Sequence, residues 1–243
     1  PGSPLGRSSL DAIESRLLSD AGVLLEAGFD AAVLENYGDV PFYKDRVDPV
    51  TIAAMTRLAV AVVRGAGGLR LGINVLRNDA AAAIAIAFAV EAAFIRVNVH
   101  VGATATDQGV IEGRASDTLR LRAAIGADVG IWSDVHVKHG RSLAHPAIEG
   151  EAEDAVHRGL ADALIVSGRA TGEPASLDEV RRVKGLDLGV PVYVGSGVTE
   201  ENVREVLAAS DGVIVGTALK EGGRTVNPMD RERALRFVER ARG

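Results

Sequence analysis

The chain has 243 residues, a length that suits one alternating α/β domain. Its 27 basic and 33 acidic residues leave a formal charge of −6, which argues against a partner bound by broad phosphate neutralisation, such as a nucleic-acid polymer. There is no Cys, so disulfides, thiolate catalysis and Cys-ligated metals are excluded.

In chain order, the first helix pattern runs from Leu10 to Ala27, with Leu10, Ile13, Leu17, Ala21 and Leu24 on one stripe and Ser8 with Asp11 set as a capping box. A strand is expected at Ala31–Glu35. A helix then opens at Asp48-Pro49, where Asp is the N-cap and Pro takes the first helical position. Strand Leu69–Val75 leads to a helix after Asn78-Asp79, and strand Phe94–Val99 to a helix near Ala115–Ile125. Strand Val129–Val137 precedes a helix near Ala147–Arg158. Strand Ala163–Ser167 precedes a helix opened by Ser176 and Glu179, a second capping box. Strands Val192–Gly195 and Val213–Gly216 lead to helices at Thr199 and at Asn227-Pro228.

Strands recur about every 30 residues, one βα unit apart, and no long linker divides the series, so residues 1–243 read as one domain. Eight helices against seven strands predict an α/β (βα)8 TIM barrel whose first strand precedes Pro1, leaving a gap between the strands at Ala31 and Val213. A doubly wound open sheet is the alternative. The longest apolar run, Ala80 to Val90, is too short to cross a bilayer, so no transmembrane segment and a cytoplasmic location are expected. The chain starts Pro-Gly-Ser-Pro without Met, which leaves room for a preceding segment.

The polar residues gather where such strands end. Arg96, Asn98 and His100 alternate with Ile95, Val97 and Val99, and Asp134, His136 and Lys138 alternate with Val135 and Val137. Earlier strands close on Glu35-Asn36 and on Asn74, Arg77, Asn78 and Asp79. A structural core does not bury so many ionisable groups without partners, so these positions point to a site. Asp79 and Asn78 equally suit a helix cap, Arg96 a counter-ion, and Trp132 a filler of the barrel interior. His139 falls out of phase and reads as structural. Gly195-Ser196-Gly197 and Gly216-Thr217 repeat one design, a glycine turn between a strand and a helix start. Such turns admit an anion close to backbone N–H groups, and the last two strands of many barrels hold a substrate phosphate there.

These stretches also carry a resemblance. Glu35-Asn36-Tyr37-Gly38-Asp39, Leu76-Arg77-Asn78-Asp79, Phe94-Ile95-Arg96-Val97-Asn98-Val99-His100, Asp134-Val135-His136-Val137-Lys138-His139, Gly195-Ser196-Gly197 and Asn227-Pro228-Met229-Asp230 are similar to the BtpA/SgcQ family over essentially the whole chain. The resemblance implies a phosphate-binding type of TIM barrel with a strand leading into Pro1. Family members are named for photosystem I or membrane-complex biogenesis, or as nucleosidases.

The leading expectation is an enzyme acting on a phosphorylated sugar or nucleotide-like small molecule, by glycosidic-bond hydrolysis, isomerisation or lyase chemistry. Asp134 or Glu35 would act as base or stabilise a developing oxocarbenium ion, and His136 or Lys138 would supply the acid. Asn74, Arg77, Arg96, Asn98 and His100 would bind substrate, and Gly195, Ser196, Gly197, Gly216 and Thr217 its phosphate. Period two places Lys138 on the face of Asp134 and His136, in a charged role rather than as a Schiff base. No cofactor is expected, and a homo-oligomer is compatible with the sequence. One alternative is a metal-dependent hydrolase with His100, Asp134 and His136 as ligands, joined by Glu35. Another is a non-catalytic assembly factor that keeps the barrel as a platform.

Overall fold

A computed structural model describes residues 3–4, 6, 8–168 and 173–243. Two compact units divide the chain, Pro1–Val97 with Asp117–Gly130, and Asn98–Ser116 with Ile131–Gly243.

The first unit holds α1 (Leu10–Ala27), β1 (Ala31–Glu35), α2 (Pro49–Gly65), β2 (Arg70–Asn74), α3 (Ala80–Val90) and β3 (Phe94–Val97), together with most of α4 (Ala115–Ala124). Ser9, rather than Ser8, caps α1, accepting from the Ala12 N–H, and Gly28 ends it in the left-handed region that lacks a Cβ penalty. The α3 sequence is apolar on every side, and Ala82, Ala83, Ile84, Ile86, Ala87 and Val90 are buried. Strands β1 to β3 run parallel, pairing Val33 with Gly72 and Gly72 with Phe94. A Cβ on Gly72 would lie 2.2 Å from the Phe94 ring, so the missing side chain is what gives that ring its place.

The second unit holds most of β6 (Gly130–Val135), then α5 (Ile148–His157), β8 (Ala163–Val166), α6 (Leu177–Gly185), β9 (Val192–Val194), α7 (Val203–Leu207), β10 (Gly212–Val213) and α8 (Arg231–Arg242). Its strands are parallel and in register, with Asp134 level with Ile165 and Tyr193, and Val135 with Val166 and Val194. The Trp132 and Tyr193 rings stack at 4.3 Å over Ala163 and Ile165, and Gly212 leaves space for the tyrosine, since a Cβ there would lie 2.7 Å from it. Helix α8 starts at Arg231 under an Asp230 cap, not at Asn227-Pro228. The segment between them forms a loop closed by the Lys220–Met229 bridge.

The unit also holds a feature the alternating pattern did not foresee. Strands β4 (Ala103–Thr106), β5 (Gly109–Glu112) and β7 (Gly140–Ser142) form an antiparallel sheet in the order β5-β4-β7. Val99, Ile111 and Val137 make its buried core. The chain therefore leaves the parallel strands at Val97 and Val135, earlier than the expected ends at Val99 and Val137.

Among the described residues the parallel strands number seven and follow the order β1-β2-β3-β6-β8-β9-β10. Strands β1 and β10 are the ends of that order. The architecture is an α/β fold with an open parallel sheet, resembling an incomplete TIM barrel rather than a closed eight-stranded one. A doubly wound sheet would reverse its strand order part-way, and this one does not. Among the described residues, no helix is long and apolar enough to cross a membrane.

Candidate functional site

In the second unit, β6 delivers Asp134 one residue before its end. Its carboxylate accepts a 2.6 Å hydrogen bond from the Asn98 amide, which lies just past the end of β3. Both side chains are 2% exposed. With its Nδ2 committed to Asp134, Asn98 has a buried Oδ1 that accepts no hydrogen bond from the described residues. A carboxylate fixed by a carboxamide, beside an unsatisfied acceptor, is a costly arrangement in a pure core. It is what a site needs when it must hold a negative group in one orientation.

Beyond β6, His136 turns into the left-handed region at φ 49° and the period-two phase ends. Lys138 and His139 fall in the following turn, so the strand alternation that aligned Lys138 with Asp134 does not reach it. The His136 N–H donates to Glu151 Oε1 at 3.1 Å, and its Nε2 lies 3.1 Å from the His145 carbonyl. His100 is buried with Nε2 2.7 Å from the Gly159 carbonyl. A Cβ on Gly159 would crowd both His100 and Val101, so this pairing is close-packed and ties the segment after β3 to the end of α5. That is the bond of a structural histidine more than of a substrate ligand.

The two glycine turns lie at the same ends of the strands as Asp134. Gly195 N–H bonds to the Val166 carbonyl and Ile214 N–H to the Val194 carbonyl, so each turn follows directly on its strand. Their glycines differ in kind. Gly197 has φ 66°, and a Cβ would meet the Pro174 backbone at 2.3 Å, so Glu173-Pro174 packs directly on this turn. Gly216 has open space around its Cβ position, and Thr217 begins a short 3-10 turn with its hydroxyl 3.0 Å from that of Thr225. Ser196 is buried.

The first unit carries a similar polar group of its own. Glu35 and Asn74 are register partners at the ends of β1 and β2, and the Asn74 amide donates to Glu35 at 2.7 Å. Asn36 holds the next turn, accepting from the Leu76 N–H at 2.7 Å. Asp79 caps α3 through Oδ1 and takes the Val47 N–H on Oδ2, the capping role that the sequence offered as its ordinary one. Arg77 and Arg96 are both buried in this unit.

Among the described residues, no three His, Asp or Glu side chains gather as a cation site requires. His100, Asp134 and His136 instead hold the separate partners named above. Glu151 escaped the sequence reading, yet it left a signal. Ile148, Glu151, Ala152 and Ala155 are the buried stripe of α5 at i, i+3, i+4 and i+7, and Glu is the one charged residue on it.

The family model of the BtpA family matches residues 1–243. The chain belongs to the BtpA family. A relative from Thermococcus kodakarensis is 46% identical over 100% of this chain and 91% of its own length. The photosystem I biogenesis protein BtpA of Synechocystis sp. is 44% identical over 95% of this chain and 80% of its own. Among solved structures, the phosphoribosyl anthranilate isomerase of Thermus thermophilus superimposes with a TM-score of 0.60 at 14% identity, covering 92% of each chain. That likeness gives this BtpA family chain a fold in common with an enzyme and leaves its reaction to be argued from its own residues.

Proposed function

We propose that the chain is an enzyme acting on a phosphorylated sugar or nucleotide-like small molecule at the strand ends of its second unit. One observation carries the reading: the strand register brings the Asn98-held carboxylate of Asp134 to the same sheet end as the glycine turns after β9 and β10. Backbone N–H groups at Ser196, Gly197, Gly216 and Thr217 would take the phosphate, since glycine turns between a strand and a helix start let an anion come close to the backbone. Asp134 would serve as general base or stabilise developing positive charge at the reacting carbon, with Asn98 fixing its orientation. His136 and Lys138, one and three residues past the end of β6, would provide the proton. Hydrolysis of a glycosidic bond, isomerisation and lyase chemistry all fit this equipment. A fold shared with a phosphoribosyl anthranilate isomerase supports a phosphorylated substrate. The Glu35–Asn74 pair repeats the carboxylate–carboxamide chemistry within the first unit, where Arg77 and Arg96 are also buried. The same reading takes the sheet as seven strands of a (βα)8 barrel in a single domain.

The second reading is a non-catalytic assembly factor, favoured by the name of the Synechocystis relative. Incubating the chain with aldose phosphates, nucleotides and their unphosphorylated counterparts, followed by mass spectrometry, separates the two. The enzyme reading predicts that a phosphorylated member is consumed and that Asp134→Asn slows this by about 100-fold or more, the scale of a lost general base. An Asp134→Asn protein as active as the parent, or consumption of unphosphorylated members alone, contradicts it. A chain that consumes no member while still supporting complex assembly favours the second reading.

A further inference from the structure

Just past β6 a histidine takes an uncommon backbone conformation, and a buried carboxylate accepts its N–H. His136 sits at φ 49°, where a non-glycine residue is disfavoured and persists only if its surroundings fix it. Glu151, 6% exposed on α5, accepts the His136 N–H on Oε1 at 3.1 Å and brings Oε2 to 3.9 Å from the imidazole Nε2. That same Nε2 lies 3.1 Å from the His145 carbonyl. A carbonyl oxygen can only accept, so Nε2 must carry the proton. The neutral ring then has its lone pair on Nδ1.

The support extends one turn further along α5. His145 Nε2 pairs with Asp154 Oδ2 at 3.1 Å, and the His145 N–H donates to Ser142 Oγ at 3.3 Å. Gly150 lacks the side chain that would press on His145 Nδ1, 3.0 Å from its Cβ position. Glu151 and Asp154, three apart on α5, thus hold His136 and His145 in turn.

We propose that Glu151 is the positioning residue for His136, fixing its left-handed backbone and its Nε2–H form so that Nδ1 is the ring nitrogen that exchanges a proton with substrate. The proposal rests on the reading of His136 as part of the site. It assigns the proton-transfer atom and adds a residue two elements away in sequence to the machinery.

The test reads the imidazole itself and needs no substrate. In uniformly 15N-labelled protein above about pH 8, where imidazole is neutral, the ring nitrogen shifts report which nitrogen bears hydrogen. The parent is expected to show His136 as the Nε2–H form, with a protected Nε2 proton. Glu151→Gln, which still offers an oxygen to the His136 N–H, should keep that signature. Glu151→Asp, one methylene shorter, should lose it and give mixed tautomers. A parent His136 in the Nδ1–H form overturns the proposal, and so does a Glu151→Asp protein with the parent's signature. Because no turnover enters, a chain that consumes no phosphorylated compound defeats the enzyme reading while leaving this result to stand or fall separately.

Discussion

Gly197 and Gly216 look interchangeable as letters, yet their surroundings give them opposite tolerance. A Cβ at Gly197 would strike the Pro174 backbone at 2.3 Å, in a φ of 66° that L residues avoid. Gly197→Ala should therefore lower unfolding free energy by about 2 kcal/mol or more in urea titration, through overpacking and backbone strain. Gly216→Ala meets open space and should stay within about 0.5 kcal/mol of the parent. Bulky substitution at Gly216 is thus the clean probe of anion binding, whereas at Gly197 it would disturb the fold as well. A second residue-scale prediction concerns acid. Burial pushes the Asp211 carboxyl up, but hydrogen bonds from the Lys184 ammonium and the Val192 N–H outweigh it and hold it below the usual range. A lowered carboxyl stabilises the fold above its unfolded value of about 3.9 and loses that contribution as pH falls through the folded value. The stability gap between parent and Asp211→Asn should therefore narrow as urea midpoints are taken from pH 6 down to about pH 3. A gap that stays constant would show that the Lys184 and Val192 bonds do not hold this carboxyl below its unfolded value. At this scale Asp134 and Asn98 were legible because polar residues alternated on apolar strands. Glu151 was not, because a glutamate in a first helical turn is ordinary until its burial is seen.

Helix α3 shows how a single side chain can serve two elements. Asp79 caps it and also binds the Val47 N–H ahead of α2. Asp79→Ala should cost about 1–3 kcal/mol in thermal or denaturant unfolding, a cap plus an unsatisfied buried donor. A loss below about 0.5 kcal/mol would mean that water replaces both bonds. The α6 start, where Ser176 accepts from the Glu179 N–H, and the α2 start at Asp48-Pro49 were readable from sequence, although the Asp48 carboxylate takes the Tyr43 hydroxyl and not a helix N–H. The α8 start was not, because Asn227-Pro228 imitates a cap while the Asp230 carboxylate makes the bonds. The β4-β5-β7 sheet was missed for a related reason. Its strands are three or four residues long, too short for a period-two signal, and Ala103-Thr104-Ala105-Thr106 carries little apolar contrast. That excursion also removed His100 and Lys138 from the strand phase that had grouped them with Asn98 and Asp134.

For the whole molecule, the alternation of strand and helix was enough to give a parallel sheet in sequential order, because each βα unit returns beside its predecessor. Among the described residues β1 and β10 terminate a seven-stranded order, the open ends that the count of seven strand patterns led one to expect at Ala31 and Val213. The central functional claim is that the turns after β9 and β10 form one anion site. Titrating 15N-labelled protein with ribose 5-phosphate, and following backbone amides by NMR, tests it most directly. The amides of Ser196, Gly197, Gly216 and Thr217 are predicted to shift together and saturate with a single Kd, and free ribose should leave them unmoved. If ribose 5-phosphate saturates other amides while these four stay still, the phosphate is bound elsewhere and the claim fails.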